Sequence, residues 1–190
     1  KHLKEKLQTN FHRTNQLNKM LSLVETDVVC NYDIDVVLPP ASYIISERLL
    51  KDDIFDVIYP YGFGKFQYKI STTFSRKIFD KNYSIGDIAN EYLERETSEY
   101  GHCIFFRTNS YRQIGGENEN FIAYGPEDKE RYIRCHKFGL RMYRLKDLVY
   151  HFEHKRTVFS NSENPFFQIN HNLYDELQSL SSEEFFKYYE

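Results

Sequence analysis

Two aspartates, Asp33 and Asp35, stand one residue apart directly after a short apolar run, where they could hold a divalent cation. The run 27–32 is β-branched and apolar, as expected of a buried strand, and ligands of open α/β sheets bind at the carboxyl ends of strands. Because side chains alternate along a strand, both carboxylates start on the same side. Carboxylate oxygens are the hard ligands that a phosphate-bridging cation requires. The pair alone is a weak indicator, since such residues also occur in solvated turns.

A second acidic pair, Glu127 and Asp128, follows a glycine-containing loop and Pro126. Proline at the first helical position and acidic residues in the first turn predict that a helix begins here. Two interpretations are open for the pair. The charges could simply complement the helix dipole, or one carboxylate could take a proton from an attacking hydroxyl group.

Two histidines, His151 and His154, stand three residues apart after a further strand-like run. A single histidine at the end of an apolar strand is more often structural than a metal ligand. The His-x-x-His spacing raises the case for a metal site only modestly.

The elements that must position these residues alternate between strands and helices. Helices are predicted over 3–24, 41–50, 73–79, 126–138 and 165–189. Strands are predicted over 27–32, 56–61 and 102–106, and further strand-like pieces within 141–150. The helices rest on apolar residues at helical spacing and the strands on short β-branched or aromatic runs. The range 65–99 has the least clear pattern. This alternation predicts an α/β domain with a mixed sheet.

Composition bounds the class of protein. The chain has 190 residues, 41% of them hydrophobic and 17% aromatic, which suits one compact domain and argues against disorder. The net charge is −3 with lysine and arginine spread along the chain, so the sequence lacks the basic stripe of a nucleic-acid-binding protein.

The three cysteines, Cys30, Cys103 and Cys135, are far apart and show no Cys-x-x-Cys spacing. Neither a zinc ribbon nor a disulfide framework is indicated, so we expect a reducing compartment. No apolar run approaches the length of about 18 residues that a transmembrane helix needs. We therefore expect a cytoplasmic location, with a peripheral position at the membrane face as a second option. The first residue is not Met, and we expect a fragment of a longer chain.

Taken in order, these clusters resemble the glycosyltransferases of the GT-A fold, and most closely the carboxyl half of β-1,4-galactosyltransferases and of bacterial chondroitin-type and capsule transferases. The family pattern has an Arg-x-x-x-Leu-Asn helix, a strand ending in Asp-x-Asp, a Gly-Gly-x-x-Glu loop, an aromatic-Gly-x-Glu-Asp segment and a late metal-binding histidine. The corresponding positions here are 13–18, 33–35, 115–119, 124–128 and 151.

The resemblance implies an α/β fold of the GT-A, or nucleotide-diphospho-sugar transferase, type, in which a mixed sheet is flanked by helices. Residues 1–190 would form a single catalytic-domain fragment. The family's first strands, which bind the nucleotide base, would precede residue 1.

The resemblance also implies a metal site. Asp35 and His151 would bind a Mn²⁺ or Mg²⁺ ion that grips the donor diphosphate, and Asp33 would face the ribose or support the metal indirectly. The galactosyltransferases carry a methionine ligand three residues before the metal-binding histidine, where this chain has Leu148. Leucine cannot ligate a metal, so His154 or a water molecule would complete the coordination.

The donor would be a nucleotide sugar, with UDP and a galactose-type or N-acetylgalactosamine-type sugar implied by the resemblance alone. Phe11 and Arg13 match positions that contact the donor nucleotide. Gly101 and His102 fall where the family lines its donor-sugar pocket.

The acceptor would be a hydroxyl group of a glycan. Asp128 matches the general base that deprotonates this hydroxyl group, and Glu127 would hold the sugars. Tyr124 and Gly125 belong to the substrate-binding segment, with Tyr124 standing where the family usually has a tryptophan that stacks on a sugar ring. In the resembling families the Glu-Asp pair accompanies inversion of the anomeric centre.

The sequence therefore predicts a metal-dependent inverting glycosyltransferase that acts in polysaccharide or glycoconjugate synthesis. One alternative is a carbohydrate-binding or scaffold domain that keeps the fold without turnover. A second is a metal-dependent phosphohydrolase built on the Asp-x-Asp and His-x-x-His pairs, which leaves the glycine loop and the Glu127-Asp128 helix start unexplained. The oligomeric state does not follow from the sequence.

Overall fold

The computed structural model describes residues 12–81 and 93–189. The α-helices are α1 (Arg13–Leu21), α2 (Pro40–Lys51), α3 (Thr72–Lys81), α4 (Thr108–Gln113), α5 (Glu127–Lys137), α6 (Phe167–Ser179) and α7 (Ser182–Tyr188). The strands are β1 (Val28–Tyr32), β2 (Val36–Val37), β3 (Val57–Tyr59), β4 (Gln67–Ile70), β5 (Leu93–Arg95), β6 (Cys103–Arg107), β7 (Met142–Arg144) and β8 (Val149–Phe152). Residues 3–11 of the helix predicted over 3–24 lie outside the described residues.

The strands form two four-stranded sheets, ordered β1-β6-β3-β7 and β2-β8-β4-β5. In the first sheet β3 pairs antiparallel with β6 and parallel with β7. In the second, β8 pairs antiparallel with β2 and parallel with β4, while β4 pairs antiparallel with β5. Both sheets are mixed, and helices accompany them, so the predicted mixed α/β class is confirmed. Their division into two sheets was not predicted.

The chain divides into two compact units. One unit contains Lys1–Val29, Arg107–Arg141 and Arg156–Glu190, and its described part is dominated by helices. The other contains Cys30–Phe106 and Met142–Lys155 and holds most of the two sheets together with α2 and α3. We call them the helical unit and the sheet unit. The single domain predicted for 1–190 stays a prediction.

Each unit has apolar side chains of its own in a core. In the helical unit, Phe121, Leu177 and Phe185 form one buried cluster. In the sheet unit, Ile70 and Tyr150 from the neighbouring strands β4 and β8 form another. The elements that carry the polar residues of interest are therefore anchored by apolar burial within their own units.

Helix α5 begins and ends close to the predicted residues. The helix begins at Glu127, one residue later than predicted, and Pro126 directly precedes it. Its first turn carries acidic residues, as the helix dipole favours. The helix ends at Lys137, and Gly139 follows with a φ of +71°, a left-handed conformation that glycine adopts readily. The acidic pair thus lies at the amino end of a well-defined helix.

The thiols of Cys30 and Cys103 lie side by side, with 3.4 Å between their Sγ atoms, and all three cysteines are free. Among the helices of the described ranges, none combines the length and the apolar character needed to cross a bilayer.

Candidate functional site

The turn between β1 and β2 carries the Asp33 and Asp35 pair. The Asp33 amide donates to the His102 carbonyl at 2.8 Å, and the Val36 amide donates back to the Asp33 carbonyl at 3.1 Å. The Asp35 carbonyl accepts a hydrogen bond from the Phe152 amide at 2.8 Å. These backbone bonds tie the turn to the end of β8, so Asp35 is placed beside the predicted histidines.

Asp35, His151 and His154 form a cluster that could hold a metal ion, with their ligand atoms within 4.8 Å of one another. Asp35 Oδ2 lies 3.5 Å from His151 Nε2 and 2.9 Å from His154 Nε2. His151 is mostly buried and His154 is about half exposed, with side-chain exposures of 12% and 47%. The structure therefore brings together the three residues predicted as metal ligands, while Asp33 is not among the metal-type clusters of the described residues.

The donor set fits a manganese-type cation. One carboxylate oxygen and two imidazole nitrogens make a mixed oxygen and nitrogen set. Mg²⁺ prefers oxygen ligands throughout, whereas Mn²⁺ and the later first-row ions accept imidazole as well. The cluster therefore favours Mn²⁺ over Mg²⁺ among the two ions predicted.

A second carboxylate, that of Glu96, contacts His151 at its other ring nitrogen, Nδ1. Glu96 Oε1 and Oε2 lie 2.9 and 3.0 Å from His151 Nδ1, and Glu96 Oε2 is 3.4 Å from His102 Nε2. This hydrogen bond is the main reason that the pKa of His151 lies above its ordinary value. Burial acts to raise the pKa of Glu96, but the hydrogen bond to His151 and the nearby imidazoles bring it below its ordinary value. Glu96, His102 and His151 form a second metal-type group.

Gly101 and His102, predicted to line a donor-sugar pocket, precede β6. The Tyr61 hydroxyl donates to the Gly101 carbonyl, and His102 adopts a φ of +66°, which is uncommon for a residue with a side chain. The rings of His102 and His151 have centroids 5.2 Å apart. The structure therefore places His102 in the imidazole group beside the metal cluster, and its contact with a donor sugar stays a prediction.

In the helical unit, α1 clamps the glycine loop 115–119. Asn18 donates from Nδ2 to the Glu117 carbonyl and to Glu119 Oε1, both at 2.9 Å, and its Oδ1 accepts from the Glu117 amide at 2.7 Å. Gly116 has a φ of +69°, and a Cβ atom there would lie 2.5 Å from Asn18 Oδ1. The Arg-x-x-x-Leu-Asn helix and the Gly-Gly-x-x-Glu loop are separate motifs in the sequence. In the structure, the hydrogen bonds of Asn18 join them.

Two arginines flank the acidic pair at the start of α5. Arg131 Nη2 donates to Asp128 Oδ1 at 2.5 Å and Arg131 Nη1 donates to Glu117 Oε1 at 2.8 Å. Arg13 Nη1 lies 3.6 Å from Glu127 Oε1 and 3.9 Å from Asp128 Oδ2. The guanidinium groups stabilise a charged Asp128 carboxylate. Arg13, predicted to contact the donor nucleotide, is placed against the acidic pair.

Glu127 differs sharply from its neighbour because it is almost fully buried. Only 6% of the residue is exposed, and Oε2 has no hydrogen-bond partner within the described part of the chain. Burial, followed by the adjacent Asp128 charge, raises the pKa of Glu127 to about 8. The two carboxylates are therefore suited to different protonation states near neutral pH.

Tyr124 and Gly125 are fixed by a buried asparagine, Asn170. Asn170 donates to the carbonyls of Ile122 and Tyr124, and a Cβ atom at Gly125 would lie 2.7 Å from the Asn170 side chain. The Tyr124 ring is partly exposed and lies nearly parallel to that of Phe167, with centroids 6.2 Å apart. An exposed aromatic face is compatible with the predicted stacking on a sugar.

Phe11, the remaining predicted donor contact, lies outside the described residues. Sequence reasoning missed Arg131 and Glu96. Arg131 could have been found, because it stands three residues after Asp128 on a predicted helix, where side chains meet. Glu96 had no sequence signal, since its partner is 55 positions away.

Residues 88–155 match a family model described as the N-terminal domain of galactosyltransferase. The match includes the acidic pair, both histidines and Glu96, and it confirms the resemblance to glycosyltransferases for this segment. A search of curated proteins gives no match.

Among solved structures, the chain is similar to the catalytic domain of Drosophila β1,4-galactosyltransferase 7 in complex with xylobiose. The sequence identity is 17% and the TM-score is 0.45, with coverage of 77% of this chain and 53% of that one. The chain thus spans about half the length of that structure.

Proposed function

Residues 88–155 carry a galactosyltransferase-type segment, and we propose that the chain is part of a metal-dependent inverting glycosyltransferase. The donor is a UDP-sugar of the galactose or N-acetylgalactosamine type, and the acceptor is a glycan hydroxyl group. The observation that carries the proposal is the Asp35, His151 and His154 cluster. Two of these three residues lie in the segment that matches the family.

Asp35, His151 and His154 hold the cation in this proposal. When bound, a divalent cation stabilises the negative charge that develops on the leaving diphosphate. The partial burial of Asp35 and His151 supports this role, because electrostatic interactions are stronger where water is partly excluded. His151, as the more buried histidine, contributes more to cation affinity than His154.

Asp128 is the general base. Its carboxylate is about one-fifth exposed, and Arg131 and Arg13 favour its charged form, so it can accept a proton from an acceptor hydroxyl group. Buried Glu127 holds a proton more readily and is suited to donating a hydrogen bond to a sugar oxygen. The assignment thus gives the two neighbouring carboxylates different tasks.

The experiment is a nucleotide-sugar panel, assayed with and without Mn²⁺ on the chain in its natural polypeptide. We expect metal-dependent release of UDP from one donor. Asp35→Ala should abolish that release. Asp128→Asn should lower kcat by about 10²–10⁴-fold, the usual contribution of a general base, while leaving donor binding nearly unchanged.

Matched variants separate the roles within each pair. His151→Ala should weaken Mn²⁺ binding more than His154→Ala, and the opposite order would make His154 the principal ligand. A loss of turnover in Glu127→Gln but not in Asp128→Asn would exchange the two acidic roles. A folded protein that releases UDP from no donor would instead favour a non-catalytic carbohydrate-binding domain.

A further inference from the structure

We propose that Glu96 is a positioning residue that holds His151 through Nδ1, so that Nε2 is directed at the cation. The inference rests on the proposed function, because it concerns the cation site assigned there. Glu96 was not predicted from the sequence and lies outside the five sequence motifs that carry the resemblance.

The geometry around the His151 ring carries the proposal. Both carboxylate oxygens of Glu96 lie within 3.0 Å of Nδ1, and Nε2 faces Asp35 Oδ2 at 3.5 Å. A ring nitrogen that donates a hydrogen bond cannot ligate a metal at the same time. Because Glu96 occupies Nδ1, it selects the tautomer in which Nε2 is free to ligate, and it fixes the ring plane.

The fold places Glu96 at this position through a buried glutamine. The Glu96 amide donates to the Gln67 carbonyl at 3.2 Å, which continues the pairing of β4 with β5 by one residue. The Gln67 side chain accepts from the Ser98 amide at 2.6 Å and donates to the Ser98 carbonyl at 2.9 Å. The residue two places further along β4, Lys69, is in register with His151. Glu96 is thus fixed beside Gln67 on β4, and β4 pairs on its other side with β8, which carries His151.

His102 offers a competing explanation. Glu96 Oε2 also lies 3.4 Å from His102 Nε2, so Glu96, His102 and His151 could together bind a cation themselves. Glu96 already accepts a hydrogen bond from His151 Nδ1 at 2.9 Å, and a cation held between Glu96 and that nitrogen would displace this bond. The positioning role requires no such rearrangement of Glu96 and His151, and we therefore favour it.

The experiment measures Mn²⁺ affinity by electron paramagnetic resonance of the free ion, in the chain in its natural polypeptide. Glu96→Ala should raise the Kd for Mn²⁺ by about 10–100-fold, the usual cost of removing a carboxylate behind a ligating histidine. Glu96→Gln keeps a carbonyl acceptor and should lose less. The matched control is Glu94→Ala, two residues earlier on β5. Its side chain is 67% exposed and paired with Lys69, so this substitution should leave the Kd unchanged.

A second readout does not need the metal. Nitrogen-15 NMR of the metal-free protein should show the His151 tautomer or charge state changing in Glu96→Ala and not in Glu94→Ala. Unchanged Mn²⁺ affinity in Glu96→Ala would overturn the inference alone. Loss of binding as complete as in Asp35→Ala would also overturn it, because Glu96 would then be a ligand. Absence of Mn²⁺ binding in the unsubstituted protein would instead overturn the proposed function, and the inference with it.

Discussion

At the scale of single residues, the two carboxylates at the start of α5 show how environment separates neighbours of the same chemistry. Asp128 contacts two guanidinium groups and is partly exposed, whereas Glu127 is buried. Burial raises the pKa of Glu127 to about 8. A group whose pKa is higher in the folded chain than in the unfolded chain binds its proton more tightly when folded, which links its titration to stability.

We expect Glu127 to reduce the free energy of unfolding as the pH rises from about 5 to about 8. In this window Glu127 keeps its proton in the folded chain but has lost it in the unfolded chain. The stabilisation is fully present below the pKa of Glu127 in the unfolded chain, and it is lost as the pH rises through the pKa of Glu127 in the folded chain. The slope is at most about 1.4 kcal/mol per pH unit, the limit for one proton. The measurement is urea unfolding at a series of pH values for the unsubstituted chain and for Glu127→Gln.

The difference in free energy of unfolding between these two proteins should fall across the window and be flat below about pH 4. Glu119→Gln is a control of opposite sign. Hydrogen bonds from Asn15 and Asn18 lower the pKa of Glu119, so its contribution should be lost only as the pH falls through the acid range. A flat difference between pH 5 and 8 for Glu127→Gln would show that Glu127 is ionised throughout.

The residue types of the Asp35, His151 and His154 cluster could be predicted from the sequence, but its geometry could not. Asp35, His151 and His154 stood out because carboxylates and imidazoles followed strand-like runs. Glu96 carried no such signal, since only the register of β4, β5 and β8 brings it to His151. Register depends on pairing between distant segments, which local patterns do not encode.

At the scale of elements, the contact between α1 and the glycine loop 115–119 explains why Gly116 is a glycine. Its φ of +69° is costly for any residue with a Cβ atom, and the space for that atom is occupied by Asn18 Oδ1. The same Asn18 oxygen accepts the Glu117 amide, so a shift of the side chain would weaken the clamp.

Gly116→Ala should therefore destabilise the chain by about 2–4 kcal/mol, the sum of a left-handed backbone cost and a disturbed, partly buried hydrogen bond. Gly64→Ala is the matched control, because Gly64 has a φ of +58° but nothing within 4 Å of the added Cβ atom. It should cost only about 1 kcal/mol. Chemical denaturation measures the free energy of unfolding of both variants. Equal losses would mean that the contact with Asn18 contributes nothing to the cost of Gly116→Ala.

Strands β1 and β3 and helices α2 and α5 lie close to their predicted ranges, whereas strands β2, β4 and β5 were not predicted. The strand-like pieces predicted within 141–150 are two strands, β7 and β8, which lie in different sheets. Asp147 separates them, accepting a hydrogen bond from the Ser42 hydroxyl through Oδ2 and from the Leu148 amide through Oδ1. Strand β5 has only three residues, two of them charged, and a pattern of that length carries no periodicity.

At the scale of the whole molecule, each of the two units is assembled from separate stretches of sequence. The helical unit draws on three stretches and the sheet unit on two. The mixed α/β class followed from the alternation of strands and helices, but this division did not. Hydrophobic patterns report that a residue is buried without reporting which distant residues bury it.

The last helix, α7, offers a test of how firmly the helical unit depends on its final stretch. Phe185 and Phe186 are adjacent on α7, yet they are 1% and 36% exposed. Phe185 packs in the buried cluster with Phe121, from the stretch 107–141, and with Leu177, from the same final stretch as Phe185. Phe186 contacts Phe138, with ring centroids 5.0 Å apart. Substitution of the two residues therefore changes the core in one case and its edge in the other.

We expect Phe185→Ala to lower the free energy of unfolding by about 3–5 kcal/mol, since it removes a large side chain from a closed core. Phe186→Ala should cost about 1 kcal/mol, as is typical of a partly exposed contact. Urea denaturation followed by far-ultraviolet circular dichroism measures the free energy of unfolding of both variants. The two substitutions are matched because they are adjacent on the same helix. Equal small losses would mean that α7 is not part of the cooperative unit. A large loss confined to Phe185→Ala would establish that the last helix folds together with the segment that bears the acidic pair.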